Sequence, residues 1–172
     1  MWRFTRAVAL NALGRAEEAG KEREAFRNAV VPKEWTFGNA PAETILSIAS
    51  KVLDGEIDAK AGRFDTAIAT LREAVAMEDA MRYDEPPDWI QPVRHTLGAA
   101  LLAAGKPADA EAVYRADLVK WPENGWALLG LSKALHEQGK HDEAAAADRR
   151  AKAAWADADV KVTSTCLCLP GK

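Results

Sequence analysis

Cys166-Leu167-Cys168 holds both cysteines of this 172-residue chain. Residues i and i+2 of an extended segment point to the same side. Two thiolates at that spacing could grip a soft metal if other ligands came from outside. Two cysteines alone leave a tetrahedral zinc site half built, and so tight a pair makes no disulfide framework. Cys166 and Cys168 are thus the chain's metal-binding candidates, but no resident metal or cofactor is expected. Asp54 and Asp58, four apart on one helix face, could hold a cation or exchange protons. A degenerate repeat that turns this face to water explains them equally simply. His136-Glu137-Gln138-Gly139-Lys140-His141 superficially resembles a zinc-protease helix. Its histidines are five apart where ligation from one face needs four, and Gly139 ends the helix between them. Nucleophile elbows, phosphate-cradling glycine loops and dinucleotide fingerprints are absent from the sequence, so no enzyme is expected.

The stretch Tyr83-Asp84-Glu85-Pro86-Pro87-Asp88-Trp89 is the chain's most distinctive loop. Two prolines restrict the residues ahead of them to extended conformations, three acids crowd the loop, and Arg94 follows it. Such a loop could wall a ligand site. Its residues also suit a plainer role, with Trp89 anchoring a helix start and the carboxylates facing that helix's positive end.

The elements that must position these residues follow from a 34-residue echo. Leu97 falls on Leu131, Leu101 on Leu135, Gly105 on Gly139 and Ala110 on Ala144. A period in this range marks a supersecondary unit that buries its apolar face only by stacking on a copy of itself. Apolar residues at three- and four-residue steps (Trp89, Ile90, Val93, Leu97, Leu101, Ala104) predict one helix, stopped by Gly105. Ala110, Val113, Tyr114 and Leu118 mark its partner, broken at Trp121-Pro122-Glu123-Asn124-Gly125. Small Ala110 and Ala144 sit where the two helices of a hairpin cross. Gly62, Ala67 and Leu71 repeat the pattern upstream, and Leu10, Gly14, Ala19 and Phe26 give a fainter copy. With 36 alanines and few β-branched residues before the C-terminus, the chain reads as all-α. The predicted units are about 1–31, 48–81, 91–124 and 125–158, with insertions at 32–47 and 82–90 and an extended tail at 159–172. In the tail, Val160, Val162, Ser164, Cys166 and Cys168 alternate with their neighbours at a strand-like period. The tail is expected either to lie along the stack, in its groove or a neighbour's, or to be an unstructured terminus.

These residues resemble the tetratricopeptide repeat. Leu97, Gly98, Leu101, Gly105, Ala110, Tyr114 and Pro122 carry the likeness in one unit, and Leu131, Leu135, Gly139 and Ala144 in the next. Ser132 and Asp148 depart from it, standing where a glycine and an aromatic are usual. The stretches around Tyr83–Trp89, Asn124–Leu128 and Ala154–Val160 further resemble the C-terminal part of long bacterial proteins built from such repeats. The resemblance implies a right-handed α-solenoid of about four antiparallel helical hairpins. It also implies a non-catalytic scaffold that recognises a peptide or protein segment in a groove lined by the first helix of each unit. On that mapping Glu56, Lys60, His95, Trp126 and Lys133 face the groove, and Tyr83, Glu85 and Arg94 flank it. Only Lys60 and Lys133 offer a lysine there, two units apart, so a clamp for a terminal carboxylate is not expected. The competing functions are a small-molecule or metal-binding accessory domain of a larger protein, and a self-associating structural module.

Charge is near balance, with 23 basic and 26 acidic residues, and no basic stripe points to nucleic acid. No apolar run is long enough to span a bilayer. Arg3 and Arg6 ahead of Ala7–Leu10 give the start a slight likeness to a secretory signal, but Asn11 interrupts it and a repeat helix describes it better. Sparse cysteine use fits a cytoplasmic setting. Trp2, Phe4, Val8 and Leu10 are expected to be uncovered at the first unit, which invites homo-oligomers through that face or through the tail.

Overall fold

The four glycines that recur through the sequence are where the chain reverses. Gly14, Gly62, Gly105 and Gly139 take left-handed backbone angles, with φ of 75°, 77°, 69° and 73°, a region that a side chain makes costly. Each sits in the turn of a helical hairpin. The computed structural model describes residues 1–166, and the chain divides into two compact units, residues 1–93 and residues 94 onward. Among the described residues the architecture is helical-repeat and all-α, apart from one two-residue ladder.

Unit 1 contains α1 (Trp2–Ala12), α2 (Ala16–Arg27), α3 (Ala42–Lys60) and α4 (Phe64–Asp79). A small antiparallel hairpin, β1 (Thr36–Phe37) with β2 (Ala40–Pro41), precedes α3. The helices pack as two hairpins, α1 on α2 and α3 on α4, with α3 also against α1 and α2. Leu10, Ile45, Ile48, Leu53 and Leu71 form the core. Gly55 lets α4 approach, since a Cβ there would lie 2.5 Å from Leu71 Cγ.

Two expectations about unit 1 change. The second repeat's first helix starts at Ala42, six residues ahead of the predicted 48, because the turn-forming composition ends at Pro41, which supplies the extended residue before the helix. The first unit's apolar residues are also largely covered. Leu10 is buried, and the Phe4 ring meets Phe26 at 6.1 Å and Trp89 edge-on at 6.0 Å. Trp2 stays 67% exposed, with the Arg6 guanidinium 5.4 Å from its ring centroid. Asp54 and Asp58 pair with arginines and not with each other. Arg23 Nε lies 2.8 Å from Asp54 Oδ1, Arg27 also engages Asp54, and Arg63 reaches Asp58 at 2.6 Å.

The boundary between the units falls in the first turn of α5 (Val93–Ala103), which precedes α6 (Pro107–Lys120), α7 (Gly125–Glu137) and α8 (His141–Ala154). Trp89 and Ile90, expected within this fifth helix, lie ahead of it, in keeping with the missing N–H of Pro92. Pro107 opens α6, where that missing donor costs nothing. Glu123 turns the chain at φ 61° and accepts two hydrogen bonds from Arg150, at 2.5 and 3.0 Å. Asn124 then caps α7, its side-chain oxygen accepting from Trp126 N and Ala127 N at 3.0 and 3.3 Å. Ala110 and Ala144 are both buried. Glu111 ties three helices together by accepting from Arg115, Gln138 and Lys140 at 2.8, 2.8 and 2.7 Å. The Lys140 bond above all, helped by Arg115 and Gln138, holds its carboxyl down at about 2.

Candidate functional site

Tyr114 organises unit 2. It starts on α6, and its ring is threaded between glycines of the two neighbouring helices. A Cβ on Gly98 of α5 would lie 2.3 Å from Tyr114 Cζ, and one on Gly130 of α7 would lie 2.2 Å from the same atom. No side chain fits at either position while the ring stays there. Tyr114 is wholly buried, and burial pushes its phenol up from the ordinary range. Gly98 was legible in the sequence as a helix-packing glycine. Gly130 was not, because the 34-residue frame puts Ser132 at the equivalent place. Ser132 bonds the carbonyl of Ala144 instead, at 3.1 Å.

The tail meets this arrangement. Tyr114 donates its hydroxyl to Thr165 Oγ1 at 2.8 Å. Lys133 Nζ, on α7, donates to the main-chain carbonyl of Thr163 at 2.7 Å. Thr165 and Cys166 are 3% and 1% exposed, and Cys166 packs with Ala99 of α5. An irregular, non-helical segment therefore lies on the face formed by α5 and α7. The hydroxyl pair is worth about 1 kcal/mol and the charged bond to a carbonyl about 2 kcal/mol. Ordering a residue's backbone costs about 1–2 kcal/mol. Burial of Thr165 and Cys166 adds to these bonds against that cost. Cys166, one of the two metal-binding candidates, is disulfide-bonded, and a disulfide sulfur is no thiolate ligand. Cys168 lies outside the described residues.

The other expected groove residues divide between the units. In unit 1, Glu56 on α3 is buried with no ion-pair partner among the described residues, and burial pushes its carboxyl up to about 7. Lys60 ends α3 and is exposed. Tyr83 is 82% exposed and donates its hydroxyl to Glu85, which holds the phenol above its ordinary range. In unit 2, Arg94 is half-buried. His95 does not face solvent. It is 2% exposed, with Nε2 3.1 Å from Oδ2 of buried Asp117, and the pair ties α5 to α6. Asp117 was missed, although an acid three residues beyond Tyr114, on the apolar stripe of α6, is the visible signal. Trp126 packs edge-on against Trp155 at 5.2 Å. His136 and His141 stack edge to face at 5.3 Å, and among the described residues no three metal-ligating side chains converge.

A second site arises in unit 1, where the two insertions meet. Asn39 N donates to Asp88 Oδ1 at 3.0 Å, and Asn39 Nδ2 to Asp84 Oδ2 at 2.8 Å. Gly38, at φ 54°, permits this, since a Cβ would sit 2.0 Å from Asp88 Oδ1. Beside the contact lies a cleft of about 490 Å³, bordered by Pro41, Thr44, Met77, Met81, Arg82 and Tyr83 among others. Changing Asn39→Asp sets a third carboxylate against Asp84 and Asp88. Amide exchange in residues 32–41 and 81–90 should then rise together, at least ten-fold, with the helices unchanged. Exchange that rises in one segment alone would mean the insertions are not coupled through Asn39.

No helix among the described residues is long and apolar enough to cross a membrane. No curated protein and no solved structure matches the chain. A family model described as the tetratricopeptide repeat matches residues 95–159, which run from the first turn of α5 to just past α8. Hairpins with left-handed glycine turns, small residues at their crossings and an aromatic ring locked between successive first helices agree with that match to the tetratricopeptide repeat over residues 95–159.

Proposed function

We propose that this chain is a non-catalytic scaffold that binds an extended peptide segment of a partner protein on the α5/α7 face. Tetratricopeptide repeats generally mediate protein–protein interaction. The observation that carries the reading for this chain is that a non-helical segment already lies on that face, with Lys133 bound to a main-chain carbonyl. A donor that addresses backbone accepts many sequences, as a peptide receptor must. Lys133, one of the positions that the repeat mapping puts in the groove, lines this face together with Ala99. His95 and Trp126 support it from within. The cleft beside Asn39 favours a second reading, a small-molecule site in unit 1, because it joins apolar walls to a few convergent polar groups.

Titrating the full chain with a pool of unstructured eight-residue peptides, followed by amide resonances, separates these readings. Binding peptides should shift residues around Ala99 and Lys133. Shifts confined to residues 39–44 and 77–88 would favour the unit 1 cleft. Shifts confined to α6 and α8, or none, would sink the peptide-scaffold reading.

A further inference from the structure

We propose that the α5/α7 face selects an extended segment carrying a threonine or serine followed by a small apolar residue, and that the chain's own residues 163–166 are its built-in competitor. The proposal rests on the peptide-scaffold reading and adds a recognition rule and a means of control to it.

The rule comes from how each tail atom is read. Lys133 binds the carbonyl of residue 163, which any residue supplies. The Thr163 side chain is exposed and carries little selection, while the Ser164 hydroxyl accepts from Cys166 N within the segment at 3.4 Å. Residue 165 is different. Its hydroxyl meets the hydroxyl of a tyrosine that cannot move, because Gly98 and Gly130 enclose the ring. An apolar side chain there leaves the Tyr114 hydroxyl without its partner in a water-free spot, and a long one has no room, since Thr165 is 3% exposed. Residue 166 must be small and apolar, because it packs on Ala99 and is 1% exposed. The order is a carbonyl, a residue whose hydroxyl bonds within the segment, a small hydroxyl and a small apolar side chain.

The control comes from occupancy. These contacts belong to the chain's own tail, so a partner segment has to displace it. A tethered competitor lowers the apparent affinity by the fraction of time that the face is open. Tyr114 and Lys133 hold the tail by hydrogen bonds, and Thr165 and Cys166 are buried on the face.

The test uses a labelled peptide copy of residues 159–166 carrying Cys166→Ala, added to full-length chains and followed by fluorescence anisotropy. Thr165→Asp in the chain puts a carboxylate against Ala99 and Tyr114, evicting the tail and leaving the helices alone. This variant should bind the peptide at least ten-fold more tightly than the unaltered chain. Adding Tyr114→Phe should reduce that binding about five-fold, and a peptide carrying Thr165→Val should show a like loss. In parallel, tryptic cleavage after Lys161 should be at least ten-fold faster in Thr165→Asp. Equal peptide affinity for the two chains, or no binding by either, overturns the proposal. So does a concentration-dependent dimer of the unaltered chain that Thr165→Asp abolishes, which would assign the segment to a neighbour's face. The peptide-pool titration stands apart from these outcomes, because shifts around Ala99 and Lys133 would uphold the scaffold even if the tail proved no competitor.

Discussion

Gly130→Ala is expected to destabilise the chain by about 3 kcal/mol or more, the level reached when an added methyl finds a core with no slack. The new Cβ would lie 2.2 Å from Tyr114 Cζ and 2.4 Å from Cε1. The ring is fully buried, and Gly98 presses on it from the other side, so it cannot swing away without opening α6 from its neighbours. For a chain of this size the loss corresponds to about 10 °C in the melting temperature, readable by calorimetry. Faster tryptic cleavage after Lys161 should accompany it, because the displaced hydroxyl no longer meets Thr165. Gly20→Ala is the matched control. Gly20 lies inside α2 with nothing within 4 Å of an added Cβ, and alanine there should be neutral or stabilise by about 1 kcal/mol. Similar melting temperatures for the two variants would mean that the ring is not threaded between the helices.

Glu56→Gln should raise stability, and only above acidic pH. The folded carboxyl titrates at about 7 because burial disfavours its charge, whereas an unfolded glutamate titrates near 4.3. Below about pH 4.3 both states are protonated and the residue costs nothing. As the pH rises toward 7 the unfolded chain ionises first, so stability is lost across that window. Above pH 7 the deficit is constant, at about 4 kcal/mol. Glutamine has the same shape without the charge. Urea unfolding should therefore find the two proteins equal near pH 4 and the variant more stable, by up to that amount, at pH 8. A difference independent of pH would show that the Glu56 carboxylate is well hydrated in the fold.

Much of the fold was legible because its determinants are local. A left-handed turn strongly favours glycine, so Gly14, Gly62, Gly105 and Gly139 announced four hairpins wherever they stood in the frame. The small crossing residues Ala110 and Ala144 were visible for a similar reason, since only a short side chain lets two helices touch. The insertions were recognisable as interruptions of the period. Their contact was not, because Asn39 meets Asp84 and Asp88 across 45 and 49 residues, and no local pattern encodes which loop an asparagine will find.

The candidate site was legible to a smaller degree. Repeat mapping picked out Lys133 as a groove residue, and the alternation after Asp159 announced an extended tail. Neither said that one would hold the other. His95 and Trp126 were chosen because polar and aromatic residues on a first helix suit a groove. His95 pairs with Asp117 of α6, and Trp126 packs on Trp155 just past α8.

What the sequence by itself determined is the run of helices, their turns and their likeness to a known repeat, because backbone angles and helix faces are set by residues close in the chain. The tertiary structure decided which polar groups have partners, which glycines enclose Tyr114, and that the α5/α7 face carries the chain's own tail. Those outcomes depend on groups tens of residues apart competing for the same space and the same hydrogen bonds, and that competition is resolved only when the helices pack.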